Sequence, residues 1–404
     1  MTALMVQGVS SWAGKSLLTT AIARMCARAG LSVAPFKAQN MSNNARVVDG
    51  GEIGSAQYFQ ALAACVPPDV RMNPVLVKPE GDRRSQVVID GKPDLALSAL
   101  DWRERPPMLW PAIERAYRSL AVDYDLILIE GAGSPAEINL RETDLANMRM
   151  AELADASVLL VADVNRGGAF AHLYGTWALL RERERARLHG FVLNKFRGDA
   201  GLLSPGPERL EELTGIPMLA VVPWLEHRLP DEDGVAESVP SGDRVGVAIV
   251  RYPTASNLDE FKPLEDVVDV SWIRTAETLD PAAVIVLPGS KNVGRDLVWL
   301  RETGIAGRLG QLVAAGRRVL AVCGGLQMLG RTLVGHPGVD RGGAGLGLLP
   351  IDTTFGAEKL TREVAAQLTG LPAPWSALEG VHVRGYEIRH GELDGDRAAD
   401  VSGR

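Results

Sequence analysis

The stretch GVSSWAGKS, residues 8–16, constrains this chain more than any other. It follows a short apolar run, MTALMVQ, and opens KSLLTTAIARMCARAG, which reads as a helix stopped at Gly30. Strand, glycine turn, lysine, hydroxyl and helix, in that order, make an anion site. Backbone N–H groups at the helix N-terminus point at a phosphate, glycines let the backbone approach, the lysine neutralises charge and the hydroxyl can hold magnesium. The usual spacing is G-x-x-x-x-G-K-[ST]. Here five residues separate Gly8 from Gly14. On this reading Ser10, Ser11, Gly14, Lys15 and Ser16 contact ATP, and Ser16 also contacts Mg2+. The bland alternative is an ordinary glycine turn before a helix.

The next segments repeat the alternation. LSVAPFK, DYDLILIEGAG, ADASVLLVADVN and HGFVLNKF are near-continuous apolar runs between helical stretches. That pattern predicts an α/β fold with a parallel sheet covered by helices on both faces. Glu130, at the end of DLILIE, stands where a second magnesium ligand belongs. Asn194, with Lys195 in FVLNKFRGD, matches a short motif that reads a nucleotide base. PDEDGVAESVPSGD is acidic, rich in Pro, Gly and Ser, and aperiodic, so a linker is expected over 230–244. It would divide a synthetase-type domain, 1–229, from a second α/β domain, 245–404.

A chain of 404 residues has room for both, on a prior of roughly 150 residues per domain. A formal charge of -7 argues against nucleic acid as a partner. No apolar run reaches membrane-spanning length and no leader pattern opens the chain. Cys26, Cys65 and Cys323 are too far apart for a disulfide framework or a zinc site. A cytoplasmic enzyme is the expected class; a homo-oligomer is left open.

Beyond the linker, RVGVAIVRYP, PAAVIVLPGSKN and RRVLAVCGGLQMLG rebuild strand, turn and helix. Cys323 falls between a strand and a glycine-led helix. That is an elbow which exposes a nucleophile, with the helix N-terminus favouring the thiolate. Backbone N–H groups of Gly324 and Gly289 could form an oxyanion hole. The alternative is a buried structural cysteine.

Residues 35–60, PFKAQNMSNNARVVDGGEIGSAQYFQ, are dense in polar groups: Lys37, Gln39, Asn40, Asn43, Asn44, Asp49, Glu52 and Gln57. Such a set suits a large polar ligand; a hydrated loop is the alternative. Asp49 and Glu52 are further candidates for metal or substrate ordering.

The loop pattern resembles that of dethiobiotin synthetase-like enzymes. It lacks the early lysine usual in partition-type ATPases, which disfavours a regulatory or partitioning ATPase without removing it. PFK-x-QNMSNNA, GGEIG-x-AQ and MNPVLVKPEGDRRSQVVIDGK resemble the cobyric acid synthase family, glutamine-dependent amidotransferases of cobalamin synthesis. The likeness continues through EGAGSPAEINLRETDLANM, VADVNRGGAFAHLYGT, NKFRGD, LPGSKN, VCGGLQMLG, GLGLLPIDT and VRGYEIRHG. It implies a corrinoid substrate, glutamine, ATP and Mg2+, with acyl phosphates attacked by ammonia. Lys15 and Lys37 would steady the phosphoryl charge, Ser16 and Glu130 would hold magnesium, and Cys323 would release ammonia in a class I glutamine amidotransferase-like domain. The family's histidine stretch is expected well beyond GYEI and is not found before Arg404. His382 and His390 are the nearest substitutes, with Arg389 at the family's usual histidine position. An incomplete glutaminase half, leaving an ammonia-dependent synthetase, is the alternative within the family.

Overall fold

The computed structural model describes residues 2–81, 84–227, 229, 243–280, 282–371, 373 and 375–395. All but Asp243 and Arg244 of the expected linker lie outside them.

The chain forms two compact units. The first comprises Met1–Asn40, Ile53–Val77 and Val87–Leu229. The strands of its main sheet are β1 (Thr2–Gly8), β2 (Val33–Phe36), β3 (Leu126–Glu130), β4 (Ser157–Asp163), β5 (Leu188–Phe196) and β6 (Met218–Pro223). They make one six-stranded sheet in the order β6-β5-β4-β1-β3-β2. Every pairing is parallel. The apolar runs explain this. All five residues of β3 are buried, as a strand covered on both faces requires. Helix α1 (Lys15–Arg28) packs Leu18 and Ala23 into the core with Val6, Val33 and Leu128. Burying a side chain the size of Leu128 contributes about 1.5–3 kcal/mol.

The second unit comprises Met41–Glu52, Lys78–Gln86 and Pro230–Arg404. Its parallel sheet is built from β7 (Gly246–Val250), β8 (Asp269–Ile273), β9 (Val284–Leu287) and β10 (Arg318–Ala321), ordered β8-β7-β9-β10. Helix α3 (Val293–Glu302) buries Leu297 and Leu300 against this sheet. Helix α4 (Gly324–Leu329) follows β10. A second sheet has β11 (Thr332–His336), β12 (Asp340–Ala344), β13 (Ile351–Gln367) and β14 (His382–Gly395), the last two a long antiparallel pair. Among the described residues no helix is long and apolar enough to cross a membrane.

The uninterrupted 1–229 domain expected from sequence is thus broken twice. Residues 41–52 and 78–86 belong with the second unit because their charges are neutralised there. Glu52 is fully buried and pairs with both Lys78 and Lys359. Lys359 Nζ also donates to Gln86 Oε1 at 3.0 Å. Burial pushes Glu52 up, but the two ammonium groups outweigh it and hold its carboxyl at about 2. Burial, with repulsion from Lys78 second, pulls Lys359 down to about 7.

A pH dependence follows. The folded pKa of Glu52 lies below its ordinary 4.5, so its stabilisation is complete above pH 4.5 and is lost as pH falls toward 2. Lys359, at about 7, stays protonated in that window. Urea unfolding of the full chain between pH 5 and 3 should show a loss of about 2 kcal/mol that is absent in Glu52→Gln. Equal slopes in the two proteins would refute it.

Candidate active sites

In the first unit the phosphate-type loop joins β1 to α1. Glu130 on neighbouring β3 stands in register with Val6, at the carboxyl end of the sheet where open α/β folds bind ligands. Ser16 Oγ donates to Glu130 Oε1 at 3.0 Å. Lys37 Nζ donates to the same oxygen at 2.9 Å. Lys15 Nζ donates to the Ser10 and Gly133 carbonyls at 3.1 and 3.2 Å. Ser11 lies on the exposed rim and Ser10 is half-buried. Sequence-predicted Ser10, Gly14, Lys15, Ser16, Lys37 and Glu130 are therefore brought together by bonds or by adjacency in the loop.

Asn194 and Lys195 sit on the same loop. Asn194 Nδ2 donates to the Ala13 carbonyl at 2.9 Å. Lys195 Nζ donates to the Trp12 carbonyl at 2.7 Å and to Asp163 Oδ2 at 2.9 Å. In this structure they brace the loop backbone. Gly14 shows why no other residue fits there. Its φ is 96°, and a Cβ would overlap the Asn194 amide. Gly14→Ala is expected to destabilise the fold by about 1–3 kcal/mol and to abolish ATP binding, read by thermal melting and calorimetry. A variant with wild-type melting and affinity would contradict this.

Asp49 is not part of this cluster. It belongs to the second unit, in an exposed turn with φ 49°. Asn43, Asn44 and Glu52 go with it. The amides there hold the backbone: the Leu258 N–H donates to Asn44 Oδ1 at 3.2 Å, and Asn43 Nδ2 donates to the Pro79 carbonyl at 3.2 Å.

In the second unit Cys323 forms the turn from β10 into α4. Its backbone, φ 49° and ψ -112°, is a conformation L residues avoid, and strain of this kind costs roughly 1–3 kcal/mol. The glycines after it are dictated by packing. A Cβ on Gly324 would crowd the Ser290 nitrogen at 2.7 Å, and one on Gly325 would overlap the Leu287 carbonyl. The elbow thus rests on the Leu287–Ser290 segment that carries Gly289. That segment is itself held. Asp296 of α3 accepts from the Thr254 N–H at 3.0 Å, Thr254 Oγ1 at 2.6 Å and Ser290 Oγ at 2.7 Å. Burial pushes the Asp296 carboxyl up to about 6 against those bonds. Tyr252 Oη donates to the Pro288 carbonyl.

Cys323 Sγ lies 3.6 Å from the Ile388 carbonyl on β14. The residue is exposed, and its sulfur packs on one side against the β14 backbone, a partial desolvation. That desolvation raises the thiol pKa, while the Gly324 N–H, Arg389 and Lys359 pull it down. The net direction is upward, opposite to the activated thiolate expected from sequence. Helix α4 has only six residues, too little to reverse it. His382 pairs with Gln367, six residues from Ile388 and so roughly 20 Å away along the strand. His390 Nδ1 faces the Gly356 carbonyl at 3.3 Å, and its Nε2 is buried without a partner among the described residues. Burial, then Lys359 and Lys291, lowers its pKa to about 4. Among the described residues neither imidazole hydrogen-bonds Cys323.

The profile of the CobQ/CobB/MinD/ParA nucleotide binding domain matches residues 4–233. That of the CobB/CobQ-like glutamine amidotransferase domain matches 246–404. Cobyric acid synthase of Variovorax paradoxus (strain S110) is 57% identical over 96% of this chain and 82% of that protein. The chain belongs to the cobyric acid synthase family. The family's proteins from Polaromonas naphthalenivorans (strain CJ2) and Methylibium petroleiphilum are 53% and 56% identical, over 99% and 96% of this chain and 84% and 81% of those proteins.

Within the frame of a cobyric acid synthase, several residues that the sequence did not single out hold the sites. Asn147 Nδ2 donates to the Ala132 carbonyl at 2.7 Å and to Asp144 Oδ2 at 2.9 Å, fixing the turn whose Gly133 carbonyl meets Lys15. Gln60 Nε2 donates to Glu130 Oε2 at 2.5 Å. Asp296 does the same office for the Gly289 segment. Asn147 lies inside ETDLANM, a stretch visible as a motif but silent about its contact. Asp296 gives no local signal at all.

Proposed function

We propose that this chain amidates the b, d, e and g side-chain carboxylates of adenosylcobyrinic acid a,c-diamide, using ATP and ammonia drawn from glutamine. The observation that carries this reading is the convergence of Ser16, Lys37 and Gln60 on Glu130 beside a phosphate-type loop, in a chain of this family.

A carboxylate oxygen of the substrate attacks the γ-phosphorus of ATP, the bond to the β-phosphate oxygen breaks, and ADP leaves. Ammonia then attacks the carbonyl carbon of the acyl phosphate. The carbon–oxygen bond to phosphate breaks, and the nitrogen loses a proton as the amide forms. Backbone N–H groups of the loop and the ammonium of Lys15 face the phosphates, and Lys37 balances charge on the phosphoryl group in flight. The Ser16 hydroxyl and the Glu130 carboxylate are hard oxygen donors, one neutral and one anionic, a set that fits magnesium. That ion would neutralise phosphate charge. In the second unit Cys323 Sγ would attack the glutamine amide carbon, and the Gly324 and Gly289 N–H groups would receive the oxyanion. The C–N bond would break as the nitrogen takes up a proton and leaves as ammonia, the resulting thioester being hydrolysed by water to glutamate and the free thiol.

The test is mass spectrometry of the corrinoid after incubation with protein, ATP, magnesium and either ¹⁵N-amide glutamine or ¹⁵N-ammonium. Four labelled nitrogens are expected from each donor. No product from either would overturn the proposal. A second reading, a synthetase driven by free ammonia, is favoured by the raised thiol pKa and by the absence of a Cys323–imidazole bond among the described residues. Product from ammonium alone would select it.

A further inference from the structure

Glu130 is fully buried, and both of its oxygens have partners. Oε1 is shared by Ser16 and Lys37. Oε2 accepts from the Gln60 side-chain amide at 2.5 Å. Gln60 is itself fully buried on helix α2 (Ser55–Ala63). Its other amide atom, Oε1, is buried with no partner among the described residues. An amide that leaves its carbonyl unsatisfied in the interior forgoes stability. The cost is consistent with an orientation imposed by the carboxylate, which accepts hydrogen bonds and cannot donate one.

The helix that carries Gln60 is keyed to the segment just past β2 that carries Lys37. The Gly54 N–H donates to Asn73 Oδ1 at 3.2 Å, and Asn73 Nδ2 donates to the Lys37 carbonyl at 3.1 Å. A Cβ on Gly54 would crowd Asn40 Nδ2 at 2.6 Å. Lys37 and Gln60 therefore approach Glu130 from one locked frame, on opposite oxygens.

We propose that Gln60 is a positioning residue for Glu130: it fixes Oε2 so that Oε1 faces Ser16 and Lys37, in the geometry needed for Mg·ATP. This rests on the reading of Glu130 as the magnesium and phosphoryl-transfer carboxylate. Gln60 does not touch the reacting atoms; its effect runs through the orientation of Glu130.

The test uses the full-length chain and two variants. In Gln60→Glu the amide donor to Glu130 Oε2 is replaced by a carboxyl group, so that oxygen loses the hydrogen bond that orients it. Calorimetric titration with magnesium and a non-hydrolysable ATP analogue should show about tenfold weaker binding. Gln60→Met keeps the volume and removes the donor. It should lower kcat for ammonium-driven amidation about tenfold with KM for the corrinoid unchanged. A Gln60→Glu protein that binds the analogue like wild type, or a Gln60→Met protein with wild-type kcat, overturns the inference. Should Gln60→Glu fail to melt cooperatively, the Gln60→Met kinetics decide alone. A wild-type chain that does not bind the analogue overturns the underlying reading as well.

Discussion

Glu130→Gln should stop amidation with both nitrogen donors, lowering kcat/KM by about 10³-fold. The substitution preserves shape and hydrogen-bonding volume, so the loss isolates the charge. Two consequences follow from removing it. The Lys37 ammonium, almost wholly buried, loses its counter-ion, and breaking a buried pair on one side typically costs about 3–5 kcal/mol. The Ser16–Glu130 oxygen pair also loses its negative member, so affinity for magnesium with an ATP analogue should fall alongside turnover. Melting curves and calorimetry separate the two. Lost binding in a protein that still melts cooperatively is the expected pattern. A variant with near wild-type turnover would remove Glu130 from the mechanism.

Cys323→Ala should divide the two donors. Product from glutamine should fall to background, while product from ammonium persists, because the ATP-dependent step uses side chains of the first unit. The backbone adds an independent signature. At φ 49° any Cβ is strained, so Cys323→Gly should melt at higher temperature than Cys323→Ala by an amount worth about 1 kcal/mol, with glutamine use lost in both. Glutamine-driven turnover in the Ala variant would show that another group releases the ammonia. Identical behaviour of wild type and variant, both responding to ammonium alone, would select the second reading.

Much of this was legible in the sequence where a local pattern carries a local cause. Near-continuous apolar runs announced parallel strands, and the parallel sheet of the first unit has its first strand centred as such runs require. The odd glycine spacing belonged to a loop whose Gly14 sits in the left-handed region. What the sequence could not show is which distant groups meet. Residues 35–60 look like one polar surface, yet the chain is parted at Asn40 and again at Glu52. Lys37 and Gln60 go to Glu130, while Asn43, Asn44 and Glu52 go elsewhere. Gln60 passed unnoticed because its importance lies in a contact seventy positions away. The thiolate expected at Cys323 also failed to follow from its neighbours. Desolvation of the thiol outweighs the Gly324 N–H together with Arg389 and Lys359.

The loan of residues 41–52 and 78–86 to the second unit bears on how such a protein can be taken apart. A gene cut at the linker would seem to free two portable modules. The C-terminal fragment would carry Lys359 into its core with Glu52 left behind on the other piece, and the N-terminal fragment would keep two stretches whose buried neighbours were gone. Neither piece is a self-sufficient part. Swapping the amidotransferase half between relatives would require transplanting those two short inserts with it, so this architecture is inherited whole.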